Sequence, residues 1–118
     1  MNKREVGNEY EEKAVQYLRH QDVHILERNY RNRNGAIDII GKDNEYIIFI
    51  EVKYRKDTQM GTPEEAVNWR KQRQICKVAD YYRITHGIGE FTPVRYDVVA
   101  CSNDTITWHK NAFEHIYS

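Results

Sequence analysis

Two cysteines in 118 residues are too few to staple a fold. Cys76 and Cys101 both fall within apolar periodic segments, so buried thiols are expected, not a disulfide framework. Proline is equally scarce: Pro63 and Pro93 each stand near the expected start of an element. No apolar run approaches the roughly 20 residues of a membrane span, and no signal pattern precedes the first helix. The expected compartment is therefore the cytoplasm, with no membrane partner. Net charge is also missing, with 18 basic residues against 18 acidic. That excludes a cationic tail or coat protein but not a local patch. Repeats and low-complexity tracts are absent, and the length suits one domain spanning 1–118 around one core.

What the chain does have is periodicity. Over 4–20, Val6, Tyr10, Ala14, Tyr17 and Leu18 recur at helical spacing, predicting a helix with one buried stripe. Glu9 lies at the edge of that stripe with Lys13 four residues on, the spacing of a solvated ion pair. A first strand is expected over 23–30, its imperfect alternation explained by a bulge or a late start. Asn34-Gly35 is a strong turn signal. Strands two and three are expected at 36–40 and 46–53, completing an antiparallel meander. Thr62, Pro63 and Glu65 together predict a helix start, with a cap, a first-turn proline and a capping box. That helix is expected to run to about Thr85 on a core face of Val67, Ile75, Cys76, Val78, Ala79 and Tyr82, widened by Ala66 and Trp69. A fourth strand over 92–101 and a short one over 105–108 follow. Ala112, Phe113 and Ile116 then stand at the spacing of one or two closing helical turns. The order α-β-β-β-α-β-β predicts an α/β fold, a mixed sheet flanked by helices. The long second helix permits a crossover to a strand parallel to the third.

The chemistry gathers where the third strand ends. The run YIIFIEVKYR, Tyr46 to Arg55, is apolar until Glu51 and Lys53. Alternation sends those two side chains from one face, about 6.6 Å apart along the backbone. Two unpaired buried charges would be costly, so the face beyond Ile50 is expected to open onto water, a metal ion or an anion. Asp38, on the preceding strand, joins them or does not according to the turn within 41–45. A two-residue turn at Asn44-Glu45, or a four-residue loop around it, pairs Asp38 directly with Glu51. One at Asp43-Asn44 makes them diagonal neighbours, and three residues without a bulge put them on opposite faces. Two carboxylates on adjacent strands can hold Mg²⁺ or Mn²⁺, both of which accept hard oxygen ligands. Lys53 can orient a water or steady charge developing on phosphorus. The same triplet is also that of an ordinary edge-strand salt bridge.

Positive charge flanks this point. From Lys53 to Arg83 there are eight Lys or Arg against four Asp or Glu, and Arg28, Arg31 and Arg33 precede the hairpin. Such a supply suits a polyanion, and suits a solvated helix surface as well. The five histidines lack metal-ligand spacing.

Taken together, Gly35-x-Ile37-Asp38-Ile39-Ile40, Phe49-Ile50-Glu51-Val52-Lys53-Tyr54-Arg55, Lys71 with Ala79-Asp80-Tyr81-Tyr82, Arg95-Tyr96-Asp97-Val98-Val99 and Asn111-Ala112-Phe113 resemble the YraN-like family. That family of small bacterial proteins is related to the PD-(D/E)xK restriction-endonuclease-like superfamily, especially to archaeal Holliday-junction resolvases. The likeness spans nearly the whole chain. It implies a restriction-endonuclease-like core and divalent-metal-dependent phosphodiester hydrolysis on DNA, branched DNA included. Asp38, Glu51 and the Val52 carbonyl would be the metal ligands. Glu9 would be the helix-one carboxylate leaning toward the metal, in a frame crowded by Glu11 and Glu12. Lys53 would be the catalytic lysine, and Asp97 matches the last strand's aspartate, in a structural role. Lys71, Arg55 and Arg70 would hold phosphates, with Arg31 and Arg33 adding to the basic surface. A two-fold homodimer would suit a junction's two related strands. One position departs from the pattern: Ala36 stands where the family carries a glutamate. The alternative is therefore a nucleic-acid-binding protein that no longer cuts.

Overall fold

The computed structural model describes residues 3–55 and 67–117, with side chains from residue 8 onward. Its elements are α1 (Lys3–His20), β1 (His24–Asn32), β2 (Gly35–Asp43), β3 (Tyr46–Tyr54), α2 (Trp69–Thr85), β4 (Val94–Cys101) and β5 (Ile106–Phe113). The five strands form one sheet in the order β1-β2-β3-β4-β5. β3 and β4 are parallel, while the other three pairings are antiparallel. A parallel pair cannot be joined by a tight turn, and the connection between these two carries α2.

β3 is the spine of this arrangement because it is apolar on both faces. Ile47 and Phe49 enter a core with Ile75, Val78, Ala79 and Tyr82 of α2. Ile48 and Ile50 enter a second core with Tyr10, Ala14, Val15 and Leu18 of α1. Strict alternation thus divides one strand between two helices, one on each side of the sheet. Cys76 and Cys101 are buried free thiols, as expected.

The strand signals hold with small shifts. The uneven pattern in β1 is a bulge, since the register with β2 slips between Ile25 and Glu27. The β1–β2 turn is Arg33-Asn34, one residue earlier than the Asn-Gly signal, with Gly35 already paired to Asn32. Asn32 Oδ1 accepts from the Asn34 N–H at 2.9 Å, an Asx turn that fixes this position. Gly35 itself lies at φ 142°, open to glycine and strained for other residues.

Two helix expectations are corrected. The helix holding Trp69 does not run unbroken from Thr62. Asn68 is extended (φ −69°, ψ 166°) and its side chain accepts from the Lys71 N–H, making Asn68 the N-cap. Residues 62–66, with the expected capping box and Ala66, lie outside the described residues. Trp69 is 62% exposed and does not widen the core, whereas Val67, just ahead of the cap, is buried. At the other end, Ala112 and Phe113 belong to β5, not to closing helical turns. Two extra residues of β5 bulge out between the pairs Val98↔His109 and Tyr96↔Phe113, with Asn111 at φ 55°. The bulge turns neighbouring side chains inward and so imitates helical spacing.

Candidate active site

The β2–β3 turn is the two-residue Asn44-Glu45, since Asp43 pairs with Tyr46. Of the alternatives open in the sequence, this register carries Asp38 opposite Glu51. The ladder itself stops one step short, at Ile39↔Ile50. Beyond it, β2 pairs only with β1, while Glu51 to Tyr54 pair only with β4. The two strands part there, and the Asp38 side chain takes the place of the missing backbone acceptor: its Oδ2 accepts from the Val52 N–H at 2.8 Å. The parting opens a cleft of about 330 Å³ lined by Asn8, Tyr10, Glu11, Asp38, Glu51, Val52 and Tyr54.

Glu51 is the most perturbed group in this cleft. It is 8% exposed. Burial, and then a hydrogen bond with and the charge of Asp38, push its carboxyl from 4.5 up to about 8, against the pull of Lys71 and Lys53. Two carboxyls that share a hydrogen bond need a proton between them, so near neutrality the pair holds one. Lys71, in the first turn of α2, brings its Nζ to 3.7 Å from Glu51 Oε2. Lys53 is half-buried and acts on Glu51 through its charge, less strongly than Lys71. The nearest cation thus comes from the helix and not from the E-x-K strand.

The helix-one carboxylate that lines the cleft is Glu11, whereas Glu9, expected there, does not reach it. Glu9 lies exposed, 3.5 Å from Lys13, in the solvated pair that the spacing also allowed. Glu11 is 9% exposed and lines the cleft. At about 100° per residue, Glu9 falls half a turn from the buried Leu18, while Glu11 falls about 20° from it. The stripe in the sequence divides on this point, since Glu9 lies nearer to Val6 and Tyr17 and Glu11 nearer to Leu18; the burial of Val15, with Tyr17 only half-buried, turns the stripe toward Glu11. Burial, then the charge of Asp38, raises the Glu11 carboxyl. Arg28 and the hydrogen bond from Asn29 Nδ2, at 2.8 Å, act the other way. Asn29 sits opposite Asp38 on β1, at φ 52°, between the pairs Arg28↔Ile39 and Tyr30↔Ile37. Nothing in the sequence marked it. Across the cleft Tyr10 and Tyr54 stack at 4.2 Å between centroids, and both hydroxyls donate to Asn103 Oδ1.

The remaining expected residues scatter. Arg33 and Arg70 meet in a separate groove with Trp69, Arg73 and Lys77. Arg31 is exposed on β1. Arg55, at the end of β3, has its N–H bonded to the Cys101 carbonyl, and its buried Nε has no partner among the described residues. Asp97 is fully buried away from the cleft. Its carboxylate accepts from Arg95, from Trp108 Nε1 at 2.8 Å and from the Asn111 N–H at 2.9 Å, a structural post under the β5 bulge. Ala36 is half-buried on β2, opposite Arg31. Among the described residues no three His, Cys, Asp or Glu side chains form a ready-made metal cage. No helix among them is long and apolar enough to cross a membrane.

Comparison with known proteins reaches the same stretch of chain. The model of a family described as uncharacterised protein family UPF0102 matches residues 10–101, which include Glu11, Asp38, Glu51, Lys53 and Lys71. A UPF0102 protein of Lachnoclostridium phytofermentans is 46% identical over 114 residues, 97% of either chain. One from Fusobacterium nucleatum is 48% identical, covering 94% of this chain and 92% of its own. One from Photobacterium profundum is 40% identical, covering 94% and 91%. With such coverage at such identity, this chain belongs to the UPF0102 family, to which its YraN-like motifs pointed.

Proposed function

We propose that this protein is a Mg²⁺- or Mn²⁺-dependent phosphodiesterase acting on DNA, branched DNA included, through a restriction-endonuclease-like site. One observation carries the reading: Asp38 and Glu51 face each other where β2 and β3 part, and Glu51 is driven to about pKa 8. Two facing carboxyls, Glu51 buried and Asp38 half-buried, call for more counter-charge than one lysine, and a perturbed acid in a cleft favours a functional site. The donor set suits a hard divalent cation in kind, with Asp38, Glu51 and the Val52 carbonyl as its holders and Glu11 at the rim. When bound, such an ion lowers the pKa of water and offsets charge on a phosphate.

The chain's own groups account for the rest. The Val52 N–H fixes the Asp38 carboxylate, and Asn29 with Arg28 fixes Glu11. Lys71 and Lys53 put positive charge beside Glu51, where a phosphate's developing negative charge would lie. The order α-β-β-β-α-β, with the parallel β3/β4 pair, supports the restriction-endonuclease-like reading.

The test is cleavage of branched, single-stranded and duplex DNA with Mn²⁺, comparing wild type with Asp38→Asn and Glu51→Gln. Cutting that both substitutions abolish is expected. Equal cutting by wild type and Asp38→Asn would remove the assignment. The non-cutting alternative has an observation of its own in Ala36, which stands half-buried on β2 where the family pattern carries a glutamate. It predicts salt-dependent DNA binding with no Mn²⁺-dependent cleavage.

A further inference from the structure

A second concavity lies outside the carboxylate cleft, between the β1–β2 turn and the start of α2. It measures about 470 Å³ and takes Arg33 from the turn and Trp69, Arg70, Arg73 and Lys77 from the helix. The helical positions 69, 70, 73 and 77 recur at three- and four-residue spacing, so they share the face opposite the buried Ile75, Val78, Ala79 and Tyr82. The turn is held against this face: a Cβ at Gly35 would fall 2.7 Å from the Gln74 side chain.

The lining has four cations and no carboxylate, and no ion pair neutralises any of the four among the described residues. At its edge stands Trp69, 62% exposed, with the Arg73 guanidinium 5.7 Å from its ring centroid. A large aromatic face left in water among clustered arginines matches a ligand that joins repeated negative charge to flat rings. Phosphates alone would leave the tryptophan without purpose. A duplex keeps its bases stacked inside, where an indole at the surface cannot reach them.

We infer that this groove binds a single-stranded stretch of DNA, with phosphates on Arg33, Arg70, Arg73 and Lys77 and one base stacked on Trp69. It rests on the phosphodiesterase reading for its place in a reaction. Arg70 directly precedes Lys71, which is 3.7 Å from Glu51, so a strand held in the groove leads toward the carboxylate cleft. The substrate thereby becomes DNA with an unpaired segment beside the bond to be cut.

The experiment is fluorescence anisotropy of a labelled oligothymidylate, with EDTA and no divalent cation, so that binding is read apart from cutting. Wild type is expected to bind the oligonucleotide more tightly than a blunt duplex of equal length. Trp69→Ala should weaken binding by about tenfold, and Trp69→Tyr should restore most of it. Arg70→Ala and Arg73→Ala should each flatten the dependence of log K on log salt by about 0.7. All three positions are exposed, so these variants keep their fold. Unchanged affinity in Trp69→Ala, or a duplex that competes equally, overturns the inference. Asp38→Asn protein that still binds but no longer cuts upholds both readings. Protein that binds this way yet never cuts removes the phosphodiesterase alone.

Discussion

Replacing Glu51 with glutamine should make the protein more stable and, if the cleft is a metal site, inactive. The carboxyl is 8% exposed, faces Asp38 and is raised from 4.5 to about 8. Below about pH 4.5 it is protonated in both the folded and the unfolded chain, and its burial carries no ionisation penalty. Between there and about 8 the unfolded chain gives up its proton while the folded chain keeps it, so stability falls as pH rises. Above about 8 the loss is complete. At about 1.4 kcal/mol per pH unit the ceiling of that loss is about 5 kcal/mol. Glutamine has no charge to bury and can offer its amide N–H to Asp38. Urea unfolding of wild type and Glu51→Gln in EDTA, near about pH 5 and about pH 9, gives the comparison. The variant's advantage should grow by at least about 1 kcal/mol between the two, a shift of about 4–8 °C in Tm. Taking the difference between proteins removes the titrating groups that do not interact with Glu51, leaving the Asp38–Glu51 pair. Parallel pH profiles for the two would refute the buried-pair account, and a variant that still cuts DNA would refute the site.

Glu11→Gln should cut cleavage at least tenfold while Glu9→Gln leaves it unchanged, because only Glu11 lines the cleft; initial rates on one DNA substrate decide this. Mn²⁺ at a hundred times its Kd should stabilise wild type by about 2.7 kcal/mol and Asp38→Asn by far less, read by thermal melting. Near pH 7 that binding should release close to one proton, since Glu51 is protonated below about 8; calorimetry in two buffers of different ionisation enthalpy measures it. Asp97→Ala should cost about 3–5 kcal/mol in urea unfolding, because it leaves the Trp108 and Asn111 N–H groups without their acceptor and Arg95 with Asp43 as its remaining partner, yet leave Mn²⁺ binding unchanged in the folded fraction.

Elements whose signals are local could be read from the chain alone. The stripe in α1, the apolar run of β3 and the buried face of α2 each follow from a residue and its near neighbours. The sequence also requires that Glu51 and Lys53 leave one face of a strand, because alternation permits nothing else. It left Glu9 and Glu11 on the two borders of the helix-one stripe, and the burial of Val15 then favours Glu11. Features that depend on two distant segments meeting required the folded chain. Whether Asp38 faces Glu51 hung on the length of one turn. Lys71 reaches Glu51 because Asn68 caps α2 and sets its first turn beside β3, and Asn29 reaches Glu11 from an αL position within β1. The closing segment misled because a bulge in a strand can bury consecutive side chains much as a helix does. Propensity acts over a few residues. The cleft exists because two strands paired up to Ile39 and Ile50 then separate to follow different neighbours, and that choice belongs to the whole sheet.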